Sequence, residues 1–514
     1  MSSTRLPKIP ALALLLATAL VATPAAQEPE GHEQGPDDAS ITDAVENELT
    51  FDHAVPGYRI TVETEDGVVS LGGSVESVLV RDRAAAIART VRGVGRVINA
   101  IVVDPKDDIT AADLRKAVND ALQADPATDS FEVSVQADEA GKVTLAGTVE
   151  SWSERSLCGR VAGSVNGVTM VDNDLAVTYR MDRSDAEISK EIREVLTWDT
   201  LVDPGLIELG VEDGVVHLSG IVGSAAEKDR ARADAYVAGV KQVEDADLVV
   251  SRWTRADGMV VKEAAFRDDD EIRDAVQRGF LRDPRLSAFR ILTTVDDGRV
   301  TLRGSVDNLM AKRAATRLVW NTNGAQRVNN RLRIDPLVEY SDDRLAAMVA
   351  GALGRSPFVV AEGLDVDVSA GAVRLTGHVD SSFERGKAEE VVSRVNGVRH
   401  VTNSLQVDEP SLVTFDPYVD PWPIHDYPWY HYAPVTTFGT DEEIQDDITY
   451  ELWWSPYVDS NEVHVEVENG VAILTGTVDS WLERASATEN AFEGGATWVR
   501  NELEIDRNPP EDSE

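Results

Sequence analysis

Asp66-Gly67-Val68-Val69-Ser70-Leu71-Gly72-Gly73-Ser74-Val75 decides how this 514-residue chain is read. Asp-Gly between alternating segments is a hairpin signal, because the turn needs positive φ. The phrase is a turn, a short apolar-alternating strand, a glycine and one more strand position. It returns at Gly141–Val149, Asp213–Val222, Asp297–Val306, Gly371–Val379 and Asn469–Val478. Six copies make an array, and the rest of the chain is organised around them.

Around the first copy, Ile41, Val45 and Leu49 share one helical face. Tyr58 to Val62 reads as a first strand and Val68 to Leu71 as a second. A helix follows from about Ser77 to Val91, then a third strand from Arg96 to Val103. The order is helix, strand, strand, helix, strand. Later opening helices are expected near Ile109, Ile188, Ile272, Leu345 and Ile444. The fold class is therefore α+β: six tandem αββαβ modules, each a small three-stranded mixed sheet packed by two helices. The second helix carries a capping-box pattern in four copies, Ser151/Glu154, Ser224/Glu227, Ser381/Glu384 and Ser480/Glu483. Module 1 lacks the box, and module 4 offers Asp307 as its cap. A glycine after the second strand (Gly73, Gly147, Gly220, Gly304, Gly377, Gly476) suits a bulge or a close approach of helix to strand. The third-strand Asn99, Asn173, Asn330, Asn403 and Asn501 are expected to bond neighbouring backbone.

The expected boundaries are modules at 38–104, 107–180, 184–252, 268–335, 341–408 and 440–506. A flexible lead-in at 26–37 precedes them, a Pro/aromatic connector spans 409–439, and an acidic tail closes the chain at 507–514. Residues 1–25 read as a secretory signal: Arg5 and Lys8, the apolar run Ala11 to Val21, then Thr23-Pro24-Ala25. The run is short for a bilayer span and no later stretch matches it, so no transmembrane segment is expected after cleavage. Periplasmic or otherwise exported localisation follows. The formal charge is −42, and loss of Arg5 and Lys8 takes it to −44. Such a polyanion repels nucleic acid and anionic lipid at long range, so nucleic acid is not an expected partner. Cys158 is the one cysteine, so no intramolecular disulfide can form, and its setting reads as an inert core thiol.

The repeated D-G-x-V-x-L-x-G-x-V phrase resembles the BON domain family. So do Glu154-Arg155, Glu384-Arg385 and Glu483-Arg484 at the second-helix start. The Asn166-Gly167-Val168 and Asn396-Gly397-Val398 loops and the V-x-N-x-L-x-V strand complete the likeness. Module 6 departs from the pattern at Phe492-Glu493-Gly494-Gly495-Ala496-Thr497, and module 3 has a longer closing strand. The resemblance implies small αββαβ modules and association with phospholipid or cell-envelope components. It further implies protection in osmotic or envelope stress, and no enzymatic activity.

No catalytic constellation emerges from the residues. The eight histidines are scattered, with no H-E-x-x-H and no i, i+4 pair; His425 and His431 share one connector and could hold a metal loosely, but read as two solvent-facing linker histidines. Asp268-Asp269-Asp270-Glu271 precedes Ile272 and reads as a helix N-terminus, where carboxylates favour the dipole. The Asp365/Asp367 stretch lacks the glycine of a calcium loop. No cofactor and no metal are expected.

The exceptional stretch is the connector. Phe415, Tyr418, Trp422, Tyr427, Trp429, Tyr430, Tyr432 and Phe438 crowd into it, with five prolines and neither lysine nor arginine. A disordered linker would not be this aromatic, so it packs on something. It is either a strap over modules 5 and 6 or an aromatic platform for lipid headgroups, glycan or a partner. The candidate surface comprises Trp422, Tyr427, Trp429, Tyr430 and Tyr432, which Trp453 and Trp454 on the following helix extend. Partners are then phospholipid or cell-envelope components, with contact short-range and apolar or bridged by divalent cations. The alternative is a scaffold or chaperone-like factor for other envelope proteins without lipid contact, and a third option is a spacer. Opening helices are offset by about 68 to 99 residues, which argues against a regular superhelix.

Overall fold

The computed structural model describes residues 36–52, 54–106, 109–128, 131–179, 183–251, 267–407, 418–419 and 439–505. The expected signal, lead-in residues 26–35, the acidic tail and connector residues 409–417 and 420–438 lie outside them.

Each module is the expected helix, strand, strand, helix, strand. Opening helices are α1 Asp38–Phe51, α3 Ala111–Ala124, α5 Asp185–Trp198, α7 Asp269–Arg282, α9 Asp342–Arg355 and α11 Asp441–Trp454. Second helices are α2 Val78–Thr90, α4 Trp152–Gly163, α6 Ala225–Asp234, α8 Leu309–Trp320, α10 Ser382–Ser393 and α12 Trp481–Glu493. In module 1, β1 (Ile60–Glu65) runs antiparallel to β2 (Val68–Val75), and β3 (Arg96–Asn99) joins β2 in parallel on its other side. The hairpin strand is thus central, and the same order holds in the other five sheets. Apolar residues of both helices and the inward sheet face close a separate small core in each module, as with Leu114, Val118, Leu145, Cys158 and Leu175 in module 2.

Ile109 does not open a helix. Thr110 caps α3, and Leu114 takes the place that Ile41 has in module 1. Module 4 is capped by Asn308, whose side chain accepts the Ala311 N–H at 2.7 Å; Asp307 instead accepts the Asn308 amide at 2.5 Å. Module 1 uses Ser77 as its cap. The glutamates of the second helices do not close the expected box on the cap residue. Glu227 accepts the Gly223 N–H, one residue before the cap, at 2.8 Å and the distant Asp203 N–H at 2.7 Å. Glu384 and Glu483 repeat this double clamp. A buried carboxylate thus ties the helix start to the loop before the first strand, satisfying two backbone donors at once.

The recurring glycine faces a strand edge rather than a helix. Gly220 has φ +110°, and a Cβ there would lie 2.0 Å from the Leu206 carbonyl oxygen. The asparagines act as expected: Asn173 and Asn403 donate to the Arg155 and Arg385 carbonyls at 2.7 and 2.8 Å, tying the third strand to the second helix.

The modules are not independent beads. Three pairs form between the two halves of the chain, each with the loop after a second helix set on the end of a partner's opening helix. In modules 2 and 5 the contact is reciprocal: the Asn166 N–H donates to the Arg355 carbonyl at 2.9 Å, and the Asn396 N–H to the Ala124 carbonyl at 3.2 Å. In modules 3 and 4 the Asn323 N–H meets the Trp198 carbonyl at 2.9 Å and its side chain the Thr197 carbonyl at 3.0 Å. In modules 1 and 6 the Arg92 guanidinium lies 4.4 Å over the Trp453 ring, and Trp454 enters the module 1 core.

Within the first half, the first residue of each second helix is the docking knob. Val78 enters the core of module 2 and Ala225 that of module 1. Trp152 donates to the Val240 carbonyl of module 3 at 2.8 Å and packs on Tyr236. Modules 1, 2 and 3 thereby close a cycle. In the second half, Leu309 enters the module 5 core, and Trp481 stacks on Trp320 of module 4 at 4.9 Å.

Candidate functional site

The acidic residues that invite a metal reading have architectural partners. Asp268 caps α7, with Glu271 closing a true capping box, and Asp270 pairs with Arg273. Asp269 accepts the Asp297 and Gly298 N–H groups at 2.8 and 2.9 Å, holding the hairpin turn against the helix start. Asp38, Asp185 and Asp441 do the same for their own turns. Asp365 and Asp367 lie on a strand, Asp365–Ser369. Among the described residues no group of His, Cys, Asp and Glu gathers with metal-binding geometry. His217 sits 3.1 Å from Glu244 and His464 3.5 Å from Glu466, both exposed, while His425 and His431 lie outside the described residues. Cys158 is a buried free thiol, pushed up to about 12 by burial and then by Glu154. It is held as the unreactive neutral form.

A cleft of about 380 Å³ between α5 and α7 is lined by Arg183, Glu187, Lys190, Glu191, Glu194, Arg278, Leu281 and Arg282. Its charges answer one another: Arg183 pairs with Glu191, Arg278 with Glu194 at 3.6 Å, and Glu187 closes the α5 capping box. It is a salt-bridged seam between modules 3 and 4.

Of the aromatic candidates, Trp422, Tyr427, Trp429, Tyr430 and Tyr432 lie outside the described residues. The two described connector residues are packed. The Tyr418 hydroxyl donates to the Leu201 carbonyl of module 3 at 2.6 Å, its ring stacks on Tyr457 of module 6 at 5.1 Å, and Val419 lies against the module 1 core. At this point the connector bridges modules 3, 6 and 1, not 5 and 6. Trp453 and Trp454 stand edge-to-face at 4.9 Å inside the contact of modules 6 and 1, with Trp454 only 9% exposed. Packing against the other module occupies them, so they do not extend an open platform.

Sequence reasoning missed a different set of aromatics. Phe51, Tyr58, Tyr450 and Trp498 expose 78, 87, 57 and 64% of their surface. They are the described aromatic side chains most open to solvent, and all belong to modules 1 and 6, which pair with each other. Residue type gave no signal of exposure: the place of Phe51 at the end of the opening helix holds Trp454 in module 6, which is buried. Among the described residues no helix is long and apolar enough to cross a membrane.

Comparison with known proteins agrees with the repeat. The BON domain family model matches residues 37–105, 110–179, 184–252, 268–336, 341–409 and 440–507. Over 123 residues the chain is 37% identical to osmotically-inducible protein Y of Escherichia coli, covering 23% of this chain and 61% of that protein, less than two thirds of its length. Over 167 residues it is 29% identical to the outer membrane lipoprotein DolP of Haemophilus influenzae, covering 31% of this chain and 84% of the relative. Two solved structures of CdsD, a structural protein of the Type III secretion system of Chlamydia trachomatis, align at 16% identity and a TM-score of 0.12. They cover 44% of this chain and 93 and 99% of their own.

Proposed function

Because the chain belongs to the BON domain family, in six tandem copies, we propose that it is an exported, non-enzymatic protein of the cell envelope that serves in osmotic or envelope stress. Its relatives named for osmotic induction and for the outer membrane support that setting. So does the basic-then-apolar run at residues 5–21. Contact with phospholipid or another envelope component is made through aromatic surface. The observation that carries this is that the open aromatics Phe51, Tyr58, Tyr450 and Trp498 all belong to modules 1 and 6, which pair with each other and on which the described connector residues Val419 and Tyr418 pack. Tyr and Trp suit the boundary between water and an apolar phase. With a net charge of −42, attachment draws nothing from long-range attraction to anionic lipid and requires short-range contact or divalent bridging.

The same charge favours one second reading, a scaffold for other envelope proteins with no lipid contact. Flotation of the mature protein with phosphatidylglycerol-containing vesicles, with and without Mg²⁺, separates the two. Flotation that is lost in a Tyr58→Ala/Trp498→Ala variant or a Trp422→Ala/Trp429→Ala variant supports the lipid reading. Absence of flotation under every condition removes it.

A further inference from the structure

Modules 3 and 4 meet through two junctions built from the same parts. Each brings the last residue of one opening helix to the residue two positions before the other opening helix. These are Trp198 and Arg267 at one junction, Arg282 and Arg183 at the other. At the first, the Arg267 guanidinium lies 5.0 Å over the Trp198 ring, and Asn323 donates to the Thr197 and Trp198 carbonyls. At the second, arginine replaces the tryptophan. Gly239 lies against Ile188 and Arg183 as Gly324 lies against Ile272 and Arg267, so Ala238 stands where Asn323 does, with no side-chain amide to reach across. Ring and amide are both missing there, and the cleft of about 380 Å³ between α5 and α7 takes their place. Small-molecule pockets span roughly 300–1,000 Å³, so this one has room for a compact ligand.

The lining carries one cation more than its pairs use. Arg183 pairs with Glu191, and Glu194 is shared by Arg278 at 3.6 Å and Lys190 at 3.9 Å. Glu187 accepts the Ser184 N–H and hydroxyl at 2.9 and 2.7 Å. Arg282 makes no hydrogen bond and no ion pair among the described residues. Glu191 and Asp234 act on its charge without bonding it. Arg183 is engaged differently. It donates to Glu191 and to the Ala238 and Glu187 carbonyls, the last two at 3.0 and 3.3 Å. Such bonds use the edges of a guanidinium and leave its faces, which can stack on an aromatic ring as Arg267 stacks on Trp198. Leu281, 72% exposed, adds apolar surface at the rim.

We propose that this cleft binds a small aromatic carboxylate, its ring stacked on Arg183 and its carboxylate paired with Arg282. The ring takes the position that Trp198 fills at the sister junction. One surplus cation among three glutamates suits a monoanion, because a second negative charge would face Glu187, Glu191 and Glu194 without a partner. The inference is independent of lipid contact by the outer aromatics.

Titration calorimetry on the full mature chain tests it with indoleacetate, cyclohexylacetate and indole. Indoleacetate is expected to bind. Cyclohexylacetate keeps the charge without the flat ring, indole keeps the ring without the charge, and each should bind at least about tenfold more weakly. Arg282→Gln should weaken indoleacetate by at least about tenfold, as loss of a charged hydrogen-bond partner does. Arg282→Trp rebuilds the sister junction and should abolish binding while melting no lower than wild type, which separates lost binding from lost folding. No binding of indoleacetate by the wild type, equal affinity for cyclohexylacetate, or an Arg282→Gln variant as tight as wild type would overturn the site.

Discussion

At the scale of single residues, the backbone sets the hardest constraints. Gly220 combines left-handed φ with a neighbouring carbonyl where a Cβ would stand. Gly220→Ala should therefore destabilise by about 1–3 kcal/mol from the dihedral alone, with the clash added. Urea titration followed by tryptophan fluorescence reads this, and a loss below 0.5 kcal/mol would contradict it. That a glycine was needed was legible in the sequence, because it recurs at one place in all six copies. What it avoids was not, since the neighbour is a carbonyl more than ten residues away in sequence. Cys158 was legible for the converse reason: an apolar helical setting predicts burial, and it is fully buried. It should stay unlabelled by a thiol reagent at pH 8 until the chain is unfolded, and prompt labelling of the native protein would contradict that.

Among the elements, helix starts are joined to turns that lie far along the chain. The acidic first-turn residues read in the sequence as favouring the helix dipole, which accounts for their sign but not for their recurrence. Their second task is the hairpin: Asp269 accepts two N–H groups of the turn 28 residues later. Asp269→Ala leaves those donors short of their partner and should cost about 1–3 kcal/mol, while Asp269→Asn should recover part of it. Equal stability of both variants to wild type, by urea titration, would show that the clamp is dispensable. The glutamates of the second helices teach the same lesson. Serine and glutamate at capping-box spacing predicted a closed local motif, yet Glu227, Glu384 and Glu483 reach the loop before the first strand. Three-residue spacing shows only the local partner; the fold supplies the distant one.

For the molecule as a whole, each αββαβ unit was legible and the assembly was not, because its contacts use residues that also suit an exposed surface. Val78, Trp152, Ala225 and Leu309 all stand at the first position of a second helix, where nothing local asks for an apolar side chain. The pairing of modules 1 and 6 also carries a pH dependence. Burial, then the charges of Glu48 and Glu451, raises the Glu493 carboxyl well above its ordinary range. A raised folded-state value means that the folded chain holds the proton more tightly than the unfolded one. This stabilisation is complete below the ordinary carboxylate range and is lost as pH rises through the raised value. Tm should thus fall from pH 5 to pH 8, and Glu493→Gln should flatten that decline; an unchanged slope would remove Glu493 from the account. The central claim is that six modules fold back on themselves, 1 on 6, 2 on 5 and 3 on 4, into one body. Small-angle X-ray scattering of the mature protein measures this directly. A radius of gyration of about 23 Å is the globular expectation for a chain of this length. A value above about 35 Å, the signature of modules strung apart, would contradict the closed assembly.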